Sequence, residues 1–308
     1  MKKIFIPILL IFVLIISACS SQSTGKESTS APKENKPETI IYESENGPIE
    51  VPADPQRVVV LFHSFAGSVM ALDVNLVGAD PWSKMNPRFA DKLKDVEEVT
   101  DESLEKILEL EPDLIIALSS INNVEKLNKI APTVTFTYGE VDYLTQFLEV
   151  GKLLNKEKEA QAWIDDFKTR AQKAGEEIKA KIGAEATISV IETFEKELYV
   201  FGDNWGRGTE ILYQEMKLNM PEKVKEMALK EGYYALSPEV LPEFAGDYLI
   251  FSKNPDADNS FQETDTYKNI PAVKSNRVFE VNSEEFYFND PLTLEYQLDF
   301  FKKSFLGN

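Results

Sequence analysis

Cysteine and histidine each occur once in this 308-residue chain, as Cys19 and His63. A single thiol excludes an intrachain disulfide, and a single histidine removes most of the familiar catalytic and zinc-site constellations. Basic side chains are also scarce: 33 Lys and Arg stand against 52 Asp and Glu, a formal charge of −19. Nucleic-acid binding needs a basic footprint that displaces counterions, and adhesion to anionic lipid needs basic patches; the composition argues against both. The apolar run from Ile4 to Ile16, interrupted only by Pro7, has 13 residues, whereas a helix crossing a bilayer needs about 20.

That short run has another use. Lys2 and Lys3 precede it, so it fits the core of a signal peptide. The following Ile16-Ser17-Ala18-Cys19 resembles a bacterial lipobox, in which the chain is cut before the cysteine and the thiol and new amine are acylated. Two or three acyl chains, at ~0.8 kcal/mol per buried CH₂, anchor a protein permanently to the outer face of the membrane. The alternative is an ordinary signal peptide with a chance cysteine. Loss of residues 1–18 removes two lysines and no acid, moving the formal charge to −21. Residues 19–39 are then a tether of Ser, Thr, Lys, Glu and Pro, too polar to fold, with a reach of roughly 25 Å.

The rest is large enough to divide into two lobes. Val58-Val59-Val60-Leu61-Phe62, Leu114 to Leu118 and Val134 to Thr137 read as strands covered on both faces, with helical segments such as Leu104 to Leu110 between them. This alternation predicts an α/β lobe over residues 40–155. Residues 156–182 carry Ala160, Trp163, Phe167, Ala171, Ala174, Ile178 and Ile182 on one helical stripe, a helix of ~40 Å. It reads either as a surface helix or, since it is longer than one lobe needs for itself, as a rigid strut joining two lobes. The α/β pattern then resumes over 183–308 with Thr187 to Ile191, Leu198 to Phe201, Tyr248 to Phe251 and Val278 to Val281.

A short piece recurs in both lobes. Ser103, Glu105, Glu109 and Asp113 have the same offsets as Ser237, Glu239, Glu243 and Asp247. Each serine is expected to cap a short helix with a glutamate in its first turn, ahead of a buried strand. Capping chemistry alone could produce part of this match; the other reading is duplicated lobes facing each other across a cleft.

The most distinctive segment is Tyr199-Val-Phe-Gly-Asp-Asn-Trp205-Gly-Arg207-Gly-Thr-Glu-Ile-Leu. A strand ends near Phe201, Gly202, Gly206 and Gly208 permit tight turns, and a helix is expected from Thr209. Trp205 and Arg207 therefore sit on a loop at a lobe edge, where binding residues concentrate. The competing account has Trp205 packing on the lobe and Arg207 pairing with a nearby acid. His63, Trp82, Arg88 and Tyr138 are the first-lobe candidates because each follows a predicted strand end; His63 has an equal claim to a structural role.

Together, the lipobox, the Pro-Asp-Leu-Ile-Ile strand, the long helix, Gly-Asp-Asn-Trp-Gly-Arg-Gly, Leu-Pro-Glu-Phe-Ala-Gly-Asp-Tyr and Phe286-Tyr-Phe-Asn-Asp-Pro-Leu resemble the iron(III)-hydroxamate-binding lipoproteins of Gram-positive bacteria, the FhuD type. The resemblance spans nearly everything beyond residue 40. It implies a non-enzymatic substrate-binding protein of an ABC importer, with two α/β lobes, a rigid connecting helix and modest closure. By motif position it places Tyr199, Trp205, Arg207 and Tyr287 in the ligand cleft, although some relatives carry Trp where Tyr287 stands. It also implies that Glu105 and Glu239 meet arginines of the permease. No cofactor is expected, because a hydroxamate siderophore fills all six iron positions itself and needs only aromatic walls and a donor. The implied partners are a ferric siderophore, permease subunits and, through Cys19, the membrane, with the protein acting as a monomer. An acidic chain with one site arginine fits near-neutral hydroxamate complexes better than trianionic catecholates. Rival cargoes are catecholate or citrate complexes and haem, and a non-transport surface lipoprotein is the more distant alternative.

Overall fold

The computed structural model describes residues 38–194 and 197–307. The signal sequence, Cys19 and the tether up to residue 37 lie outside the described residues. Thr39, expected to end the tether, instead begins a strand. Strands β1 (Thr39–Ser44) and β2 (Gly47–Pro52) form an antiparallel hairpin. Its tip is pinned to the first lobe: the Glu45 carboxylate accepts from Thr137 N at 3.0 Å and Thr137 Oγ1 at 2.7 Å.

The first lobe is a parallel sheet of β3 (Val58–Val60), β4 (Leu76–Ala79), β5 (Glu97–Glu98), β6 (Leu114–Leu118) and β7 (Thr133–Phe136), in the order β5-β4-β3-β6-β7. Its continuous apolar runs follow from the two-residue side-chain period. Val58, Val60, Leu114 and Ile116 enter one buried cluster, while Val59, Ile115 and Ala117 enter another on the opposite face. The second lobe contains β8 (Ile188–Phe194), β9 (Glu197–Phe201), β10 (Tyr233–Leu236), β11 (Tyr248–Lys253) and β12 (Val278–Asn282), in the order β10-β9-β8-β11-β12. Numbered within each lobe, both sheets run 3-2-1-4-5. They differ in β9, which is antiparallel to both of its neighbours.

The sequence repeat has a physical basis in its aspartates rather than its serines. Asp113, just before β6, accepts from Gln56 N at 2.6 Å and Arg57 N at 3.0 Å, ahead of β3. Asp247, just before β11, accepts from Thr187 N at 2.9 Å and Thr187 Oγ1 at 3.0 Å, ahead of β8. Each aspartate thus ties the first strand of its lobe to the fourth. The expected serine caps do not form. Ser103 Oγ accepts from Thr100 N at 3.1 Å and leaves the helix Leu104–Glu109 without a side-chain cap. In the second copy, Pro238 to Val240 form a turn and the helix spans only Leu241–Phe244, so Glu239 precedes it.

The two α/β lobes are joined by the helix Glu157–Ile182, 26 residues or about 39 Å long. Its buried face is Ala160, Ile164, Phe167, Ala171, Ala174, Gly175 and Ile178; Trp163 and Ile182, expected in the stripe, are only half-buried at its margin. Trp163 instead donates its indole N–H to Glu295 at 2.9 Å, and Arg170 grips the same carboxylate at 2.7 and 2.5 Å. Glu295 belongs to the last helix, Pro291–Leu306. That helix also packs on the first-lobe helix His63–Ala71, so closely that a Cβ on Gly67 would lie 2.1 Å from the Asp290 side chain. One apolar cluster, including Phe65, Phe167, Ile191 and Phe301, consequently runs through both lobes.

Candidate ligand-binding cleft

In a 3-2-1-4-5 sheet the chain leaves strands 1 and 4 in opposite directions, opening a crevice beyond their carboxyl ends. Here the two crevices meet in one cleft of about 480 Å³, within the range of small-molecule sites. From the first lobe, Phe62, His63 and Ser64 line it after β3, Leu118 at the end of β6, and Tyr138 just beyond β7. Trp82 reaches it from the helix Pro81–Met85, whose N-terminus Asp80 caps by accepting from Trp82 N at 3.0 Å and Ser83 N at 3.2 Å. Burial raises the Asp80 pKa against these hydrogen bonds.

The second lobe contributes Glu192 and Phe194 at the end of β8, and Tyr199, Phe201 and Tyr233 from β9 and β10. Trp205 and Arg207 come from the following loop, and Tyr287 and Phe288 from the segment after the turn Ser283–Glu285. Gly206, Arg207 and Gly208 all have left-handed backbones, with φ of 70°, 58° and 77°. This conformation costs a non-glycine residue roughly 1–2 kcal/mol. It is held by the neighbouring segment: Arg207 N donates to Phe286 O at 2.9 Å, and a Cβ on Gly206 would stand 2.2 Å from Tyr287 O. The fully buried Glu210 accepts from Gly206 N at 2.9 Å and Asn289 Nδ2 at 3.1 Å, while burial raises its pKa. Glu210 opens a π-helical turn, Glu210–Glu215, where an ordinary helix was expected.

Arg207 lies between the Phe201 and Tyr287 rings, 4.9 and 4.8 Å from their centroids. Its Nη2 pairs with Glu192 Oε1 at 2.8 Å, so the arginine is paired with an acid while it also lines the cleft. His63 stacks on Phe288 at 4.4 Å, and Trp82 stacks on Phe194 at 6.3 Å. Burial, then Arg207, pushes the His63 pKa down to about 3, which keeps the imidazole neutral.

Seven of the eight residues expected at the ligand therefore converge: His63, Trp82, Tyr138, Tyr199, Trp205, Arg207 and Tyr287. Arg88 does not. Asn86 caps the turn Pro87–Phe89, which buries Phe89 and sends Arg88 over Tyr296 at 3.7 Å and beside Glu285 at 3.8 Å, outside the cleft lining. Missed by sequence reasoning were Glu192 and the rings of Phe62, Phe194, Phe201, Tyr233 and Phe288. The available signal was positional: Phe62 and Phe194 follow or end the first strand of each lobe. Among the described residues no group of three or more His, Cys, Asp or Glu side chains is arranged to hold a metal ion. None of their helices is long and apolar enough to cross a membrane.

The cleft thus offers aromatic walls and a half-engaged guanidinium, the furniture of a binding site. Residues 58–285 match the periplasmic binding protein family. The chain belongs to that family. It is similar to two iron(3+)-hydroxamate-binding proteins of Bacillus subtilis: FhuD, at 36% identity covering 96% of this chain and 95% of the relative, and YxeB, at 36% covering 97% and 95%. Among solved structures of the family, FhuD2 of Staphylococcus aureus with bound ferrioxamine B superposes with a TM-score of 0.78 at 32% identity, covering 82% of this chain and 99% of that one.

Proposed function

We propose that this protein captures ferric hydroxamate siderophores in the cleft between its lobes and delivers them to an ABC permease for iron uptake. One observation carries the reading: the cleft is walled by rings from both lobes around a single arginine whose charge is met by Glu192. A ferric hydroxamate needs such a site, since its iron is already saturated and only its organic shell and outward oxygens remain to be recognised. The relatives named for hydroxamate binding support the same cargo. The protein acts as a carrier rather than an enzyme, its iron arriving and leaving inside the siderophore. It works as a monomer held to the outer face of the membrane by acyl chains on Cys19.

The residues proposed to contact ligand are His63, Trp82, Tyr138, Tyr199, Trp205, Arg207 and Tyr287. Those proposed to meet the permease are Glu105 and Glu239, both exposed, one on each lobe. The Glu239 carboxyl is held below the usual range by a hydrogen bond from Ser237. A thermal-shift screen of ferric siderophores tests the cargo. A hydroxamate complex at 100 times its Kd stabilises the fold by ~2.7 kcal/mol. A melting temperature unmoved by every hydroxamate and raised by a catecholate, citrate or haem would replace the cargo.

A further inference from the structure

The cleft contains a buried carboxylate that its aromatic character does not explain. Glu192 ends the apolar part of β8 with no side-chain exposure. Its oxygens accept from Arg207 Nε at 3.2 Å, Arg207 Nη2 at 2.8 Å and, from the neighbouring strand, Ser252 Oγ at 2.5 Å. Arg207 Nη1 donates to Trp205 O at 3.1 Å, so at least three of the five guanidinium N–H groups are committed within the protein. The guanidinium fork of Arg207 is turned toward Glu192. An arginine meant to meet an anion with its whole charge gains nothing from this arrangement. Among the described residues that line the cleft, Glu192 and Arg207 carry the only formal charges at neutral pH, and these cancel.

We propose that Glu192 determines the specificity of this site: by pairing with Arg207 it sets the formal charge of the cleft to zero, admitting neutral and cationic ferric complexes and rejecting polyanionic ones. The inference rests on the siderophore-binding reading and names the residue that selects among siderophores. An anionic complex entering the cleft meets repulsion from Glu192 that offsets the attraction of Arg207. Aromatic walls that exclude water leave both effects weakly screened.

The test is a tryptophan-quenching titration of the full chain in detergent with three probes: ferrichrome, which is neutral, ferrioxamine B, which carries a pendant ammonium, and a trianionic ferric tris-catecholate. The wild type is expected to bind the first two and to bind the tris-catecholate at least about 100-fold more weakly. Glu192→Gln keeps the shape and can still bond Arg207 and Ser252, but leaves the site with one positive charge. It is expected to improve tris-catecholate binding about tenfold or more, weaken ferrioxamine B several-fold and change ferrichrome least. A common factor on all three probes would mean a merely structural role and would overturn the proposal. So would wild-type protein that binds the tris-catecholate as tightly as ferrichrome, although the siderophore-binding reading would survive. Wild-type protein that binds none of the three would overturn both. If Glu192→Gln does not fold, Leu118→Lys adds one positive charge to the cleft lining from the first lobe and is expected to shift the three affinities in the same directions; unchanged tris-catecholate binding would overturn the proposal.

Discussion

Strand β3 of the first lobe runs out into Phe62 and His63, whereas its counterpart in the second lobe, β8, runs out into Glu192 and Phe194. The lobes share a strand order and an aspartate clamp between first and fourth strands. Their contributions to the cleft nevertheless differ. The described first-lobe lining is rings, Leu118 and Ser64, with no formal charge once His63 is neutral. The second lobe adds an ion pair and a left-handed loop fastened to Phe286. In the proposed function, the framework common to both lobes would fix where a ligand sits, and the segments leaving its strands would decide what is recognised.

If the lobes are equivalent toward the permease and unequal toward the ligand, variants should separate the two relations. The largest effect is expected from Glu105→Ala/Glu239→Ala. Siderophore-dependent growth of cells lacking the natural copy should fail, while the purified variant binds siderophore like the wild type. Normal growth would remove the docking role. Next comes Arg207→Ala, which should weaken hydroxamate binding by about 1.5–3 kcal/mol, the range for hydrogen bonds to a charged group. Unchanged affinity by titration would return Arg207 to a purely structural position.

Smaller losses are expected when one ring is removed from each lobe. Trp82→Ala and Trp205→Ala should each cost about 0.5–1.5 kcal/mol for the ring contacts beyond area burial. Both indoles are 40% exposed at the cleft. Trp82→Phe/Trp205→Phe should also abolish most fluorescence quenching by ferric siderophore, because Trp163 lies on the connecting helix, bonded to Glu295 of the last helix and outside the cleft lining. Quenching that persists at full strength in this variant would place the ligand elsewhere.

The smallest expected effect on affinity is that of pH. With its pKa at about 3, His63 stays neutral between pH 5 and 8, so affinity for a neutral complex should vary less than about twofold, against the full titration of an ordinary histidine near 6.5. The consequence falls on stability instead. Between pH 6.5 and 3 the unfolded chain binds a proton at His63 that the folded chain excludes, so this residue favours folding less as the solution becomes more acid. Asp290, its pKa raised by burial to about 6, works in the opposite sense between 3.8 and 6. Urea titrations of His63→Gln beside the wild type isolate the histidine: the variant should gain relative stability as pH falls through this window, and parallel pH profiles would contradict the assignment.

Buried strands and the connecting helix were legible because burial on both sides leaves an apolar run, as in Leu114 to Leu118, and burial on one side leaves a stripe. Strand β5 was not, since it is two exposed glutamates held by their backbone at a sheet edge. The π-helical turn is six residues long, too short for its period to stand apart from that of an ordinary helix. The cleft loop after β9 was visible through Gly206, Trp205 and Arg207. Glu192 was hidden because the partner that justifies a buried carboxylate is 15 residues away across a turn. Arg88 misled for a related reason: following a strand places a residue near the cleft edge, but the Asn86 cap then decides which way it faces.

In the proposed complex the ligand lies between an uncharged aromatic wall and the Arg207–Glu192 pair. A crystal structure of the protein soaked with ferrioxamine B tests it most directly. The complex is expected between His63 and Trp82 on one side and Trp205 and Tyr287 on the other, with a remaining Arg207 N–H on a hydroxamate oxygen and the Glu192 pair intact. A siderophore bound outside this cleft, or bound with Arg207 released from Glu192, would contradict it.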